Sequence, residues 1–506
     1  MRSFFKRNCL GLFESLEKAA DQISDLIREG REGEAEFLLD ECRQTAIYVA
    51  RAIEDSEGKG IDVVKLLEDY SESALRTSEK IEANSATLGD TDNGLSEIIR
   101  KAKDSLQSIP VRYEAVFMPY NPAMWDSLES IWMAADKDPE WEVYVVPIPY
   151  YDKNEDGSLG DIHYKPEEYP SYVPITDYRE FDLEGHHPDA LYIHNPYDQG
   201  NRVTTIPSEY YSKNIREQTD CLVYVPYYAT SGLMGKGFNL LPAYIFADYI
   251  VVQSEEIIDQ FDTTVPRRKF LPLGSPKFDR IIRICEERPK VPEEWTNKAN
   301  GKKVFFYNTS LQGMLLDTDA FLKKLKYVFD TFKEVESACL LWRPHPLMDT
   351  TIKAMRAEHY SEYLSLKESF INEDYGIYDA TSDVEVSIAF SDAYLGDAGT
   401  SIISLFQTVG KPIYVLDNQI NGETTIGMEE YKENEVFEIG FGYIYCCRER
   451  SGVSLKNIAE GIYEKAPYNY KPEEQKNMAT KINASLEGNC GERVHNEIKE
   501  MVKGNQ

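Results

Sequence analysis

The sequence lacks three features that would place it in familiar classes of protein. It has no run of about 18 apolar residues, so we expect no transmembrane helix. Its eight cysteines include no Cys-x-x-Cys pair, so we expect reduced thiols in a cytoplasmic protein and no bound metal. It is poor in basic residues, with 55 against 87 acidic ones and a formal net charge of −32. Because nucleic acids need a basic footprint, no nucleic-acid partner is expected.

What is present predicts several domains. The chain has 506 residues, 42% of them hydrophobic, which is enough for two or three domains with full cores. Helical spacing of apolar residues through positions 1–109 predicts a helical accessory region, the expected place of a protein partner or of self-association. Short apolar runs then alternate with helical patterns, which predicts parallel, doubly wound sheets in domains at 110–290 and 291–467, with terminal helices at 468–506.

The most informative segment is a strand-to-helix turn at residues 396–401 (Gly-Asp-Ala-Gly-Thr-Ser). Small residues there leave backbone N–H groups uncovered, and together with the helix dipole these groups form a phosphate cradle. We therefore expect a donor phosphate at Gly399, Thr400 and Ser401. The hydroxyls of Thr400 and Ser401 can also cap the helix. Asp397 either holds the turn or binds a ligand hydroxyl.

Polar side chains also follow two other strands of the predicted second sheet. Thr309 and Ser310 end its first strand and are candidates for phosphate contacts. Arg343 and His345 end another strand, in an Arg-Pro-His-Pro segment. Two prolines hold the backbone at His345, which is the candidate donor to a phosphate or acid toward a leaving group. Arg343 either neutralises phosphate or pairs with a carboxylate.

These motifs, in this order, resemble those of the CDP-glycerol glycerophosphotransferases of teichoic-acid synthesis. Residues 274–279 resemble their Gly-x-Pro-Arg-x-Asp, 343–346 their Lys-Pro-His-Pro, 391–400 their Ser-Asp and Thr-Asp-Tyr-Ser-Ser, and 410–413 their Lys-Pro-Ile. The resemblance implies a GT-B fold, with two Rossmann-like domains facing a cleft. It also implies transfer of glycerophosphate, or a related polyol-phosphate, from a CDP-activated donor to a polymer or lipid-linked acceptor of the cell envelope, with no cofactor.

The sequence departs from that family at its expected catalytic base. The family's Trp-His-Gly histidine has no counterpart in residues 224–232, where Tyr227 and Tyr228 are expected on the acceptor side. His194, after another strand, is either the replacement base or a loop histidine. A GT-B nucleotide-sugar glycosyltransferase and a degenerate nucleotide-binding or interaction module stay open as alternatives. The basic start, residues 1–7, is the expected contact if the chain lies peripherally at the inner face of a membrane.

Overall fold

The structure is a computed structural model. It describes residues 1–83, 94–154, 156–201, 203–230, 237–381, 383–397, 400–416, 436–439, 442–446, 455–460 and 479–504. Within these ranges, none of the helices combines the length and the apolar character that crossing a bilayer requires.

The chain begins with long amphipathic helices that share one core. They are α1 (Ser3–Arg28), α2 (Glu32–Glu57), α3 (Asp62–Glu82) and α4 (Ser96–Ser108). Their apolar residues recur every three or four positions, so each helix buries one stripe against the others. Phe13, Leu39, Leu67 and Leu106, one from each helix, lie in this core.

The basic start of α1 packs against the first sheet domain. Phe4 stacks on His187 at 4.3 Å between ring centroids, and Arg7 pairs with Asp220. Lys6 Nζ donates to two backbone carbonyls near the end of α4, at 2.6 and 2.8 Å. These contacts attach the start of α1 to α4 and to the first sheet domain.

The elements of the first sheet domain, in chain order, are β1 (Tyr113–Met118), α5 (Glu129–Asp136), β2 (Trp141–Val145), β3 (Tyr150–Lys153), β4 (Leu159–His163), α6 (Leu183–His186), β5 (Ala190–Ile193), β6 (Thr204–Thr205), α7 (Ser212–Ile215), β7 (Leu222–Tyr224), α8 (Pro242–Phe246), β8 (Tyr249–Val251), α9 (Glu255–Ile258) and β9 (Phe270–Leu271). The main sheet has the strand order β2-β1-β5-β7-β8-β9, with parallel pairing between neighbours. An antiparallel sheet, β4-β3-β6, is attached to it.

The elements of the second sheet domain and the helices that flank it are α10 (Pro276–Glu287), α11 (Glu293–Ala299), β10 (Lys303–Thr309), α12 (Leu311–Leu316), α13 (Thr318–Glu334), β11 (Ala338–Pro344), α14 (Met348–Met355), α15 (Tyr360–Asn372), β12 (Ile377–Tyr378), α16 (Val384–Phe390), β13 (Ala393–Gly396), α17 (Ile402–Thr408), β14 (Ile413–Val415), β15 (Val436–Ile439), β16 (Gly442–Cys446), α18 (Leu455–Ala459) and α19 (Cys490–Gly504). The sheet has the strand order β12-β11-β10-β13-β14-β16-β15, and all neighbours pair in parallel except β15 and β16.

Both sheets are covered on both faces, as parallel sheets require. All six residues of β1 are buried, and separate apolar clusters line the two faces of each sheet. The last helix, α19, returns to the first domain, where Val494 and Ile498 join its core and His495 Nε2 lies 2.9 Å from Asp138. The predicted fold class is confirmed: two Rossmann-like domains in a GT-B-like architecture, preceded by helices.

Candidate functional site at the carboxyl edges of the sheets

Each sheet contains one point where the strand order reverses. In the second sheet the chain runs outward from β10 to β11 and β12, then returns to β13 and β14 on the other side. A crevice is therefore expected at the carboxyl ends of the neighbours β10 and β13, beyond Thr309 and Gly396, and we name this place the second-sheet crevice. In the first sheet β1 and β5 leave the first-sheet crevice beyond Met118 and Ile193. Ligands of open α/β sheets bind in such crevices.

Asp397 joins the two walls of the second-sheet crevice. Its Oδ2 accepts hydrogen bonds from the backbone N and the Oγ of Ser310, at 2.7 Å each. Its Oδ1 accepts from Lys324 Nζ at 2.6 Å, and the two side chains are 9% and 0% exposed. Ser310 and Asp397 thus lie together, but each is used to hold the other. In this geometry Asp397 fixes the turn and has little capacity left for a ligand.

The end of β13, directly before Asp397, approaches the neighbouring strand β10 very closely. Gly396 has φ +143°, and a Cβ built there would lie 2.1 Å from the carbonyl oxygen of Asn308. Gly399 lies outside the described residues. Thr400 Oγ1 accepts from the backbone N of Ile402 at 3.3 Å, and Ser401 is exposed at the start of α17. The hydroxyl protons of both residues can therefore be donated to a ligand, and their contact with phosphate stays a prediction.

Arg343 and Thr309 do not present free groups to the crevice. Arg343 Nη1 donates to Asp379 Oδ2 at 2.5 Å, and its Nη2 donates to the carbonyl of Thr381 at 2.8 Å. Thr309 is fully buried and accepts from Trp342 Nε1 at 3.3 Å. Of the two roles considered for Arg343, the structure supports the carboxylate pair, because the guanidinium is buried and already neutralised.

His345 is the histidine that the second-sheet crevice leaves accessible. Its backbone N donates to the carbonyl of Thr309 at 3.0 Å, which places it directly beside the end of β10. Its Nδ1 accepts from the backbone N of Leu347 at 3.1 Å, so the neutral ring carries its proton on Nε2. Nε2 has no hydrogen-bond partner among the described residues. Partial burial lowers the pKa of His345, so the neutral, donating form prevails at pH 7.

His194 lies at the first-sheet crevice but is sealed inside it, which argues against its expected role as a base. The ring is fully buried, and Nε2 accepts from the backbone N of Tyr120 at 3.1 Å. Nδ1 donates to Ser127 Oγ at 3.1 Å, since that hydroxyl in turn donates to the carbonyl of Met124. Burial lowers the pKa of His194 to about 3. Both nitrogens are used, so the ring connects the loops after β1 and β5.

Tyr227 and Tyr228 belong to an aromatic cluster around that histidine. The ring of Tyr227 lies 6.2 Å from His194, and Tyr228 shares a short hydroxyl–hydroxyl hydrogen bond with Tyr244. Burial raises the pKa of Tyr227 and that of Tyr228, and a phenol that does not ionise at neutral pH is a poor base. Their acceptor-side role stays a prediction.

The segment at residues 274–279 has a structural explanation. The backbone N of Ser275 donates to Asn483 Oδ1 at 3.0 Å. The buried carboxylate of Asp279 accepts from the backbone N of Cys490 and Gly491, at 3.0 and 2.7 Å. The segment therefore attaches the start of α19 to the first domain, as a carboxylate at a helix N-terminus does. It takes no part in the second-sheet crevice.

No family model and no curated protein matches the chain. Among solved structures, the complex of S. aureus MnaA with UDP shows 14% identity and a TM-score of 0.45, over 77% of this chain and 97% of that chain. A putative UDP-N-acetylglucosamine 2-epimerase from Listeria monocytogenes shows 11% identity and 0.48, over 78% and 97%. The UDP-GlcNAc 2-epimerase from Neisseria meningitidis, bound to UDP-GlcNAc, shows 11% and 0.45, over 77% and 100%.

The expected membership of the CDP-glycerol glycerophosphotransferases is therefore wrong. No model of that family matches the chain, and the UDP-GlcNAc 2-epimerase structures named above carry descriptions other than glycerophosphotransferase. CDP-glycerol as donor, glycerophosphate transfer and a teichoic-acid or other envelope polymer as acceptor are withdrawn with it. The quoted motifs are short segments at strand ends. Asp279 and Arg343 in these motifs make structural contacts within the protein, and such contacts do not depend on which ligand is bound.

Sequence reasoning missed Lys324, the counter-ion of Asp397. A signal was present, because Phe321, Leu325, Val328 and Phe332 form the buried stripe of α13. Lys324 lies on that stripe, three residues after Phe321, so its ammonium had to find a buried partner.

Proposed function

We propose that the chain is a GT-B-type enzyme that binds a nucleotide-activated sugar and transfers the sugar to an acceptor hydroxyl. The observation that carries this proposal is the second-sheet crevice. There the segments that follow β10, β11 and β13 bring Ser310, His345 and Thr400 to one sheet edge, at the reversal of strand order. A crevice of this kind suits the diphosphate of a nucleotide.

Neutral donors would hold that diphosphate. Lys324 and Arg343, which lie buried behind this edge, are already neutralised by Asp397 and Asp379. This leaves the Nε2–H of His345, the hydroxyls of Thr400 and Ser401, and backbone N–H groups. When the bond between the sugar's anomeric carbon and the phosphate oxygen breaks, negative charge develops on that oxygen, and donors already in place stabilise it.

The sugar acceptor would lie at the first-sheet crevice, which is rich in tyrosine. Tyr120 contacts Tyr150 edge to face at 5.7 Å, and Tyr197 and Tyr227 interact at the same place. Aromatic rings offer flat apolar faces to the C–H groups of a sugar, and phenolic hydroxyls hydrogen-bond to its hydroxyls. A second-sheet crevice with polar donors for a diphosphate, together with a first-sheet crevice rich in aromatic rings, supports the proposal of a sugar-transferring enzyme.

One observation favours a second candidate, a protein that binds the nucleotide without turnover. Among the described residues of the first-sheet crevice, His194 is sealed and the phenols of Tyr120 and Tyr227 have raised pKa values, that of Tyr120 to about 12 through burial. Neither group type is suited to remove a proton from an acceptor hydroxyl at neutral pH.

A binding and turnover experiment separates these functions. We expect at least one of four ligands (UDP, CDP, ADP and a UDP-sugar) to raise the melting temperature of the protein. His345→Ala should weaken nucleotide binding by about tenfold or more, the cost of one hydrogen bond to a charged group. The matched control is His359→Ala, whose ring lies near Asp319 and Glu358 in the same domain. Binding with release of the nucleoside diphosphate supports the transferase, binding without release supports the second candidate, and no response to any nucleotide refutes both.

A further inference from the structure

A half-exposed histidine lies on the antiparallel sheet that is attached to the first sheet domain. His163 is the last residue of β4 and lies directly opposite Tyr150, the first residue of β3. Residues directly opposite each other in an antiparallel pair share one face of the sheet, and residues two apart along a strand do so as well. Asp152 therefore lies on the same face as Tyr150 and His163, whereas Ile162 lies on the other face.

The face that carries His163 is turned toward the first-sheet crevice. The ring of Tyr150 is stacked on His163 at 4.9 Å between centroids and contacts the ring of Tyr120 edge to face at 5.7 Å. The backbone N of Tyr120 donates to His194 in that crevice. Ile162, on the opposite face of the small sheet, is 54% exposed. His163 thus lies on the rim of the first-sheet crevice, with one aromatic ring between it and Tyr120.

A β-bulge brings a carboxylate to this histidine. The register of β3 against β4 shifts at Asp152, so that this residue faces two residues of β4. Bulges redirect side chains and are common beside functional sites. Asp152 Oδ2 accepts a hydrogen bond from His163 Nε2 at 2.7 Å. Because an ionised carboxylate only accepts, Nε2 carries the proton, and in the neutral ring Nδ1 is the unprotonated nitrogen.

The other ring nitrogen of His163 is available for a ligand. Nδ1 has no hydrogen-bond partner among the described residues, and the side chain is 29% exposed. An unprotonated imidazole nitrogen, held in place by a carboxylate on the opposite side of the ring, is the arrangement by which a histidine removes a proton from a hydroxyl. His194 and the phenols of the crevice do not offer such a group.

We propose that His163 is the general base that removes the proton from the acceptor hydroxyl, with Asp152 as its positioning residue. This inference rests on the proposed sugar transfer. The acceptor oxygen forms a bond to the anomeric carbon while the bond from that carbon to the phosphate oxygen breaks. The hydroxyl proton passes to Nδ1 of His163 and then to water. The electron pair of the broken bond stays on the nucleoside diphosphate, where the donors of the second-sheet crevice stabilise it.

Two other histidine–carboxylate pairs of the first sheet domain face the helices at the start of the chain. His186 Nδ1 lies 2.9 Å from Glu114 Oε1, and His187 Nε2 lies 3.4 Å from Asp220 Oδ1. Both carboxylates also pair with arginines at the start of the chain, and an aromatic ring of α1 stacks on His187. His187 is therefore a matched control for His163, since it is a partly exposed, carboxylate-paired histidine of the same domain that faces away from the crevice.

Release of the nucleoside diphosphate from a UDP-sugar tests the base, with methyl α-D-glucoside, methyl α-D-mannoside and methyl β-D-galactoside as acceptor probes. We expect His163→Gln to lower the rate of release by about 100-fold or more, the usual contribution of a general base, and to leave nucleotide binding unchanged. Asp152→Asn should lower the rate as well, because its amide can donate to Nε2 and so place the ring proton on Nδ1. The control His187→Gln should keep the rate of the wild type.

Azide distinguishes a general base from a structural contact. Azide is already an anion and forms its bond to the anomeric carbon without losing a proton. Added azide should therefore restore release in His163→Gln and yield a glycosyl azide. A loss of release that azide does not restore would overturn the role of His163 as a base.

The remaining outcomes separate this proposal from the proposed function. A wild-type rate in His163→Gln overturns the base and leaves the transferase intact, whereas no release from the wild type overturns both. Labelling of the full chain with diethyl pyrocarbonate, which reacts with accessible unprotonated imidazole nitrogens, needs no turnover. We expect His163 to be modified and the fully buried His194 to stay unmodified. A His163 that is not modified contradicts the proposal.

Discussion

Replacing Lys324 with methionine tests the central contact of the second-sheet crevice. Methionine keeps the apolar stem of the lysine and removes its ammonium. The Asp397 carboxylate then stays buried without its counter-ion, with only the two hydrogen bonds from Ser310. Breaking a buried ion pair from one side costs about 3–5 kcal/mol, because the remaining charge is uncompensated. We expect the opening free energy of the second domain to fall by that amount.

The chain offers a matched control for this substitution on the same helix. Lys326 pairs with Asp330 at 2.5 Å, but the two side chains are 63% and 57% exposed. Because water screens an exposed pair, Lys326→Met should cost no more than about 1 kcal/mol. The double variant Lys324→Met with Asp397→Asn removes both charges, so it should be less destabilised than the sum of its two single variants.

Hydrogen exchange by mass spectrometry on the intact chain gives the opening free energy for β10 and α13 directly. This assay does not require the whole multidomain chain to unfold in one step. The reasoning is refuted if Lys324→Met costs no more than Lys326→Met, or if the two single-variant costs simply add in the double variant. Either result would mean that Asp397 is stabilised without Lys324.

Two further predictions concern residues at the carboxyl edges. His194→Ala should destabilise the first domain by about 3 kcal/mol, because it removes a buried ring and two hydrogen bonds. Burial lowers the pKa of His194 from 6.5 to about 3, so the stability of the wild type should fall as the pH drops below 6.5. Denaturant titrations should show a weaker fall in the variant. Gly396→Ala should lower the free energy of unfolding by about 3 kcal/mol or more, because the added Cβ would lie 2.1 Å from the carbonyl oxygen of Asn308. The control Gly410→Ala, at φ +68° with open space around the added Cβ, should lower it by about 1 kcal/mol. Equal decreases in the melting temperature of the two variants would contradict this account.

The parts of the fold that follow from local pattern could be predicted from the sequence. Buried parallel strands give apolar runs such as residues 304–307, and the polar residues that follow them must lie at the carboxyl edge. This is why His345, Ser310 and Asp397 were correctly placed at strand ends. The same logic explains the error of family, since short polar segments at strand ends arise in any sheet of this type and do not specify a donor.

The contacts that decide what those residues can do are long-range, and the sequence did not reveal them. Arg343 pairs with Asp379, 36 positions away, and Asp397 pairs with Lys324, 73 positions away. His194 is sealed by residues that lie 67 and 74 positions earlier. No local pattern marks which carboxylate pairs with which cation. The sequence therefore does not distinguish side chains that are hydrogen-bonded within the protein from those that remain able to bind a ligand.

The two crevices differ in how their walls are held together. In the first-sheet crevice, the chain's own His194 bridges the walls with both ring nitrogens. In the second-sheet crevice, the Asp397–Lys324 pair lies below the edge and leaves the His345 Nε2–H and the Thr400 hydroxyl above it. Buried charge fixes that wall while neutral donors face outward, so a ligand bound there does not have to displace an ion pair.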